Sequence, residues 1–231
     1  MIAILLPDVM PLLMETIHAD VRNVQNRIEE SYMTPRDDDR QLEDAIVLLQ
    51  DPSGDIPSIT SRSAALKRLL VIGDRAHERL VSLLETGQAS NPAAVVAALP
   101  LFGLASGIPA LERVAATGAE SVAQAAALAL GTHPLSAALD ALRRLLASKR
   151  AETVIAGLHG LAQRSDPRAM PWVVSVFSHT DARLRYYALR AAKELGPLQQ
   201  EVLQRLLRRE TDPEVRALAQ ELLADLDRGA P

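Results

Sequence analysis

Two stretches near the C-terminus repeat one pattern at a fixed spacing, and that periodicity limits the possible folds more than any composition figure. The first is DPRAMPWVVSVFSHTDARLRYYALRAAKELG, 166–196, and the second is PLQQEVLQRLLRRETDPEVRALAQELLADL, 197–226. Aligned on Asp181 and Asp212, they lie 31 residues apart. Each Asp is followed by Arg at four (Arg185, Arg216), Ala at seven (Ala188, Ala219), a small or aliphatic residue at ten (Ala191, Leu222) and Leu at fourteen (Leu195, Leu226). One such unit cannot bury its apolar face alone, so units of this length stack into a solenoid.

The rest of the chain is consistent with this reading. Its 231 residues are 48% hydrophobic and only 3% aromatic, so a large core can form from Ala and Leu, both strong helix formers. No stretch alternates apolar and polar residues over strand length, which predicts an all-α protein. From Asp8 to about Tyr32, Leu13, Ile17, Val21, Val24 and Ile28 make a single helical stripe. One apolar face needs one neighbour, so this segment is expected to cap the array; a coiled-coil dimer is the alternative. Thr34-Pro35-Arg36 breaks the helix. Asp37-Asp38-Asp39 then opens a helix over Asp38–Gln50, where carboxylates suit the positive end of the dipole. The next helix runs from Ser58 or Ser61 to Ile72 and stops at Gly73.

The expected organisation is an N-terminal capping helix and acidic connection, 1–37, then a repeat array, 38–226, and a frayed tail, 227–231. The hairpins fall at about 38–73, 74–107, 108–131, 132–165, 166–196 and 197–226, with second helices anchored at Ser58, Asn91, Ala116, Arg150, Asp181 and Asp212. Asn91-Pro92, Asp166-Pro167 and Asp212-Pro213 each place a capping side chain before a proline that has no N–H to lose. Pro100 should interrupt its helix, and Gly131 and Gly196 should end theirs. The array has no linker, and its second helices are expected to line a concave surface.

Several functions are excluded by what the chain lacks. There is no cysteine, hence no disulfide, thiolate metal site or cysteine nucleophile, in keeping with a cytoplasmic protein. MIAILL has no positive n-region and is interrupted by Pro7-Asp8, so it reads as neither signal nor span, and no other stretch suits a membrane. His18, His77, His133, His159 and His179 form no HExxH motif, and P-loop, GxGxxG and GxSxG motifs are absent. The expectation is a protein without catalytic residues, cofactor or metal. Charge is divided: residues 1–57 carry a balance of −8 and residues 58–231 a balance of +4.

The signature D-x-x-[VL]-R-x-x-A-x-x-A/L-x-x-L, preceded by Ala169-Met170-Pro171-Trp172-Val173, resembles the HEAT repeat, and more closely its short bacterial, phycobilisome-lyase-type form. Residues 166–226 carry the resemblance. Earlier repeats match in period but lose the Asp/Arg pair: Val95, Glu120 and Val154 stand where Arg185 and Arg216 stand. The resemblance implies a right-handed α-solenoid of about six HEAT-like hairpins. It also implies that Asp181 and Asp212 cap second helices while Arg185 and Arg216 join a polar ladder. The dipeptide His77-Glu78 occurs once, unlike the several pairs of HEAT-repeat iron hydroxylases.

Trp172, Phe177, Tyr186 and Tyr187 are four of the six aromatics and lie within one repeat. Tyr, Trp and Arg are the residues enriched in binding hot spots. The expected partner-binding residues are therefore Trp172, Arg183, Tyr186, Tyr187, Arg190 and Lys193. The expected role is a non-catalytic scaffold or adaptor that holds a protein or peptide; the sequence leaves the oligomeric state open, with a monomer favoured. The alternative is nucleic-acid binding, as in the HEAT-like alkylpurine DNA glycosylases. It draws on Arg143, Arg144, Lys149, Arg150, Arg164, Arg168, Arg183, Arg185, Arg190, Lys193, Arg205, Arg208 and Arg209 as a phosphate-binding stripe.

Overall fold

Helices are the only regular elements among the described residues of the computed structural model, which are 35–53 and 56–228. The expected capping helix before Pro35 and the end of the tail fall outside them. The chain divides into two compact units, Met1–Gly107 and Ile108–Pro231.

In the first unit, α1 (Pro35–Leu49) packs on α2 (Ile56–Ile72), and α2 on α3 (Asp74–Glu85). Leu42, Ala45, Ile46 and Leu49 supply the buried stripe of α1. Gly73 alone separates α2 from α3, at φ +73°, a left-handed value that favours glycine. Gln50 is buried, and its side-chain oxygen accepts from the Ser90 and Asn91 backbone N–H groups at 2.7 and 3.4 Å. This ties the first loop to the start of α4 (Pro92–Ala98). Asn91 caps α4 by accepting from Ala94 N. After Ala98 the chain tightens into a 3-10 turn, Leu99–Phe102, because Pro100 has no N–H to give the Val96 carbonyl. His77 is buried edge-on to Phe102. Burial pushes its pKa down, so the ring is neutral. It fits because Gly107 has no Cβ, which would lie 2.8 Å from His77 Nε2.

The second unit is four hairpins: α5–α6 (Ile108–Thr117, Glu120–Thr132), α7–α8 (Ser136–Leu145, Ala151–Arg164), α9–α10 (Met170–Val176, Ala182–Leu195) and α11–α12 (Gln200–Leu207, Pro213–Asp227). Second helices stack in order, α6 on α8, α8 on α10, α10 on α12, and α5 packs on α7. This is the stacking of an α-solenoid.

The second helices begin after Ala119, Arg150, Asp181 and Asp212, each 31 residues after the last. The expected anchor Ala116 is therefore misplaced by three residues. It lies inside α5, and its carbonyl accepts from Arg150 Nη1 at 2.8 Å and Thr153 Oγ1 at 3.2 Å. Ala123, not Glu120, then stands in the register of Arg185. Ser58 likewise lies within α2 rather than before it. Gly131 does not end its helix either: α6 continues to Thr132. Gly131 is required by contact, since a Cβ there would lie 2.5 Å from the Gly160 carbonyl oxygen, and one on Gly160 would strike the Ala127 carbonyl and Leu142. Two backbones touch where α6 meets α8.

A side chain two residues before the N-cap closes three of the hairpin turns. Ser148 Oγ accepts from Arg150 N at 3.1 Å, His179 Nδ1 from Asp181 N at 3.0 Å, and Glu210 Oε1 from Asp212 N at 2.9 Å. The caps follow, Asp181 accepting from Arg183 N and Asp212 from Glu214 N and Val215 N. Arg185 forks onto buried Glu210 through two bonds of 2.6 Å and donates to the His179 and Thr180 carbonyls. Arg216 donates to the Leu207 and Glu210 carbonyls. The Asp/Arg signature thus holds turns and neighbouring hairpins together.

Candidate binding surface

α10 is amphipathic: Leu184, Ala188, Leu189, Ala191, Ala192 and Leu195 are buried. The opposite side of α10 carries Arg183, Tyr186, Tyr187, Arg190 and Lys193. Arg183, Arg190 and Lys193 are exposed, while the two tyrosines are half-buried. Consecutive helical residues point about 100° apart, so both rings cannot enter the core. They meet instead at 5.8 Å, nearly perpendicular, an arrangement that matches ring edge to ring face.

Tyr187 is also held from α8, where the His159 ring stands 5.3 Å away at 75°. His159 Nδ1 lies 2.9 Å from the Gln124 side-chain amide of α6. Burial, and then the nearby Arg190 charge, push the His159 pKa down. A neutral ring can accept the Gln124 hydrogen bond and keep its other nitrogen as a donor. Three successive second helices therefore build one row: Gln124, His159, Tyr187, Tyr186. Gln124 and His159 were not among the expected site residues. The signal for His159 was available, because it stands one 31-residue period before Arg190.

The six expected residues divide. Five lie on α10. Trp172 lies on α9, a first helix, where Arg143 of α7 stacks over its ring at 5.4 Å. Lys193 is bound to Glu221 of α12 at 3.1 Å. Arg183 and Arg190 have no ion-pair partner among the described residues.

About half of the basic stripe is committed within the protein. Arg144 forks onto Glu112 at 2.7 and 2.6 Å, Arg168 onto Asp166, and Arg185 onto Glu210. Arg150 donates to the Ala116 carbonyl in the last turn of α5, and Arg164 to the His133 carbonyl after α6. Arg168 and the backbone N–H beside it push the Asp166 pKa down to about 2. No group of three His, Cys, Asp or Glu side chains suited to a metal occurs among the described residues, and no helix there is long and apolar enough to cross a membrane.

Residues 152–224, from α8 into α12, match the family model for HEAT repeats. Among solved structures, a crystal structure titled as an engineered protein is similar at 21% identity, covering 91% of this chain and 97% of that one, with a TM-score of 0.49. No curated protein matches the chain.

Proposed function

We propose that this HEAT-like repeat protein is a non-catalytic scaffold that holds a protein or peptide partner against the second helices α8 and α10. The observation that carries the reading is the braced Tyr187 ring. It is half-exposed, fixed between His159 and Tyr186, and flanked by the unpaired guanidiniums of Arg183 and Arg190. A ring immobilised before binding loses little entropy on contact. Tyr and Arg together are the chemistry of hot spots, and two free cations favour a partner with carboxylates facing them. Lys193 and Trp172 are secondary members, since each already has a partner within the protein.

The test is capture of partners from host lysate, with and without nuclease, by the native chain and by two variants. Y186A/Y187A/R190A removes the rings. R183E/R190E changes only exposed side chains and leaves the rings in place. A protein partner that survives nuclease and is lost in both folded variants supports the reading. Capture that persists in both variants overturns it. Capture that collapses with nuclease would transfer the site to nucleic acid, a reading weakened by the commitment of Arg144, Arg150, Arg164, Arg168 and Arg185 within the protein.

A further inference from the structure

A second recess lies in the same unit, between α9 and α11, the first helices of the last two hairpins. It is a cleft of about 410 Å³, open to solvent on one side. Val174 and Phe177 line it from α9 and its end, and Val202 and Leu206 line it from α11. Arg205 and Arg209, about one turn apart, lie along the α11 side.

The charges are unbalanced. The carboxylate of Glu210 is already committed to Arg185 and to the backbone N–H groups of Thr211 and Asp212. Arg205 and Arg209 are exposed and have no hydrogen-bond or ion-pair partner through their side chains among the described residues. His179 also lines the cleft, its Nδ1 accepting from Asp181 N, and Ser178, Thr180 and Thr211 add hydroxyl donors. Donors and cations thus surround an apolar floor, with no free carboxylate among them. The complementary ligand presents an apolar side chain between carboxylates.

We infer that this cleft binds an acidic peptide segment, seating one aliphatic or aromatic side chain on the Val174–Phe177–Val202–Leu206 floor and placing carboxylates on Arg205 and Arg209. Cavities of roughly 300–1,000 Å³ enclose drug-sized groups, so a single bulky side chain and its flanking main chain suit this one. Arg208, between Arg205 and Arg209 in sequence, is also exposed but does not line the cleft. Nucleic acid is disfavoured by the aromatic content. Phe177 is buried at 7% exposure and presents no face for a base to stack on. The cleft is built from first helices and is independent of the α8–α10 surface.

The experiment is fluorescence anisotropy on the full chain with an end-blocked, labelled peptide alternating glutamate and leucine. Saturable binding is expected, weakened at least about tenfold in R205E/R209E, a change confined to exposed side chains. V202D, which puts a carboxylate on the floor, should weaken it comparably, and Y186A/Y187A/R190A should leave it unchanged. The proposal is overturned by an unchanged affinity in R205E/R209E. It is equally overturned by equal affinity for an all-glutamate peptide, or for oligothymidylate lost in the same variant. Failure here leaves the α8–α10 surface standing, because that site is read with different variants.

Discussion

The α6–α8 junction and the junction between the last two hairpins join equivalent helices by opposite means. At the first, Gly131 and Gly160 let two backbones touch, and the Gln124–His159 hydrogen bond adds a polar contact between side chains. At the second, Leu222 stands in the register of Gly160, and the polar contact between the hairpins is the buried Arg185–Glu210 pair. Dispersion falls off within a fraction of an ångström, so the glycine joint works only at contact. A forked ion pair on long side chains does not need the backbones to touch. The charged joint can therefore hold two hairpins together while their first helices stand apart, which is where the cleft beside α9 and α11 opens.

The largest expected effect is at the charged joint. Glu210 has a side chain only 1% exposed, and that of Arg185 is 13% exposed. Removing one partner of a buried pair strands the other. R185A should cost about 3 kcal/mol, at the low end for such pairs because two backbone N–H groups still face Glu210. The Arg185 guanidinium, helped by those N–H groups, holds the Glu210 carboxyl below its usual range against the opposing effect of burial. A carboxylate with a depressed folded pKa stabilises the fold above the usual carboxylate range and loses that contribution as pH falls through it. The R185A deficit, measured by urea denaturation, should therefore narrow from about pH 5 downward. A deficit independent of pH would mean that the pair acts by packing alone.

At the glycine joint the sign is the unusual one. Alanine is the better helix former by up to about 1 kcal/mol, yet G160A should destabilise by about 2 kcal/mol, because its Cβ meets the Ala127 backbone. G131A should follow, and G157A should be mildest, since its Cβ would meet Leu145 and Leu146 side chains first. Thermal unfolding of the three variants orders them. A stabilised G160A would show that the helices separate without loss, and the contrast between the joints would disappear.

The same contrast explains which features are legible in the sequence. In the last two hairpins the work is done by side chains with distinct chemistry, so Asp181, Arg185, Asp212 and Arg216 stand out in the sequence. In the third and fourth it is done by absent side chains. Ala119 makes no side-chain cap, and the alanine-rich run around it offers nothing to align on, so the anchor slid by nearly one helical turn to Ala116. Gly131 looks like a helix stop because glycine commonly is one; only the neighbouring helix reveals the other reason. The tyrosines were legible as aromatics beside arginines. Their brace, His159, required the correct period, and Glu210 required recognising the position two residues before the N-cap.

A smaller effect separates capping from charge. Asp212 accepts two helix N–H groups, so D212A should cost about 1 kcal/mol and D212N much less. If D212N costs as much as D212A, the carboxylate is acting through its charge beside Arg185 and not through the cap. Urea midpoints at low and high salt distinguish the two, since only the charge effect is screened.

The smallest effect lies among the glycine-built hairpins. Arg144 of α7 forks onto Glu112 of α5 with bonds of 2.7 and 2.6 Å, against 2.6 Å for both at Arg185–Glu210. Geometry alone would rank the two pairs equal. Their surroundings do not, because the Arg144 side chain is 54% exposed and that of Glu112 is 25% exposed. Water already solvates both charges, so little is gained by joining them and little stranded by parting them. A double-mutant cycle of E112Q and R144Q should give a coupling of about 0.5 kcal/mol or less, weakened by salt. Where backbones touch, the ion pair above them is incidental; where they do not, it is the joint. A coupling at this exposed pair as large as that at Arg185–Glu210 would show that burial does not set the difference.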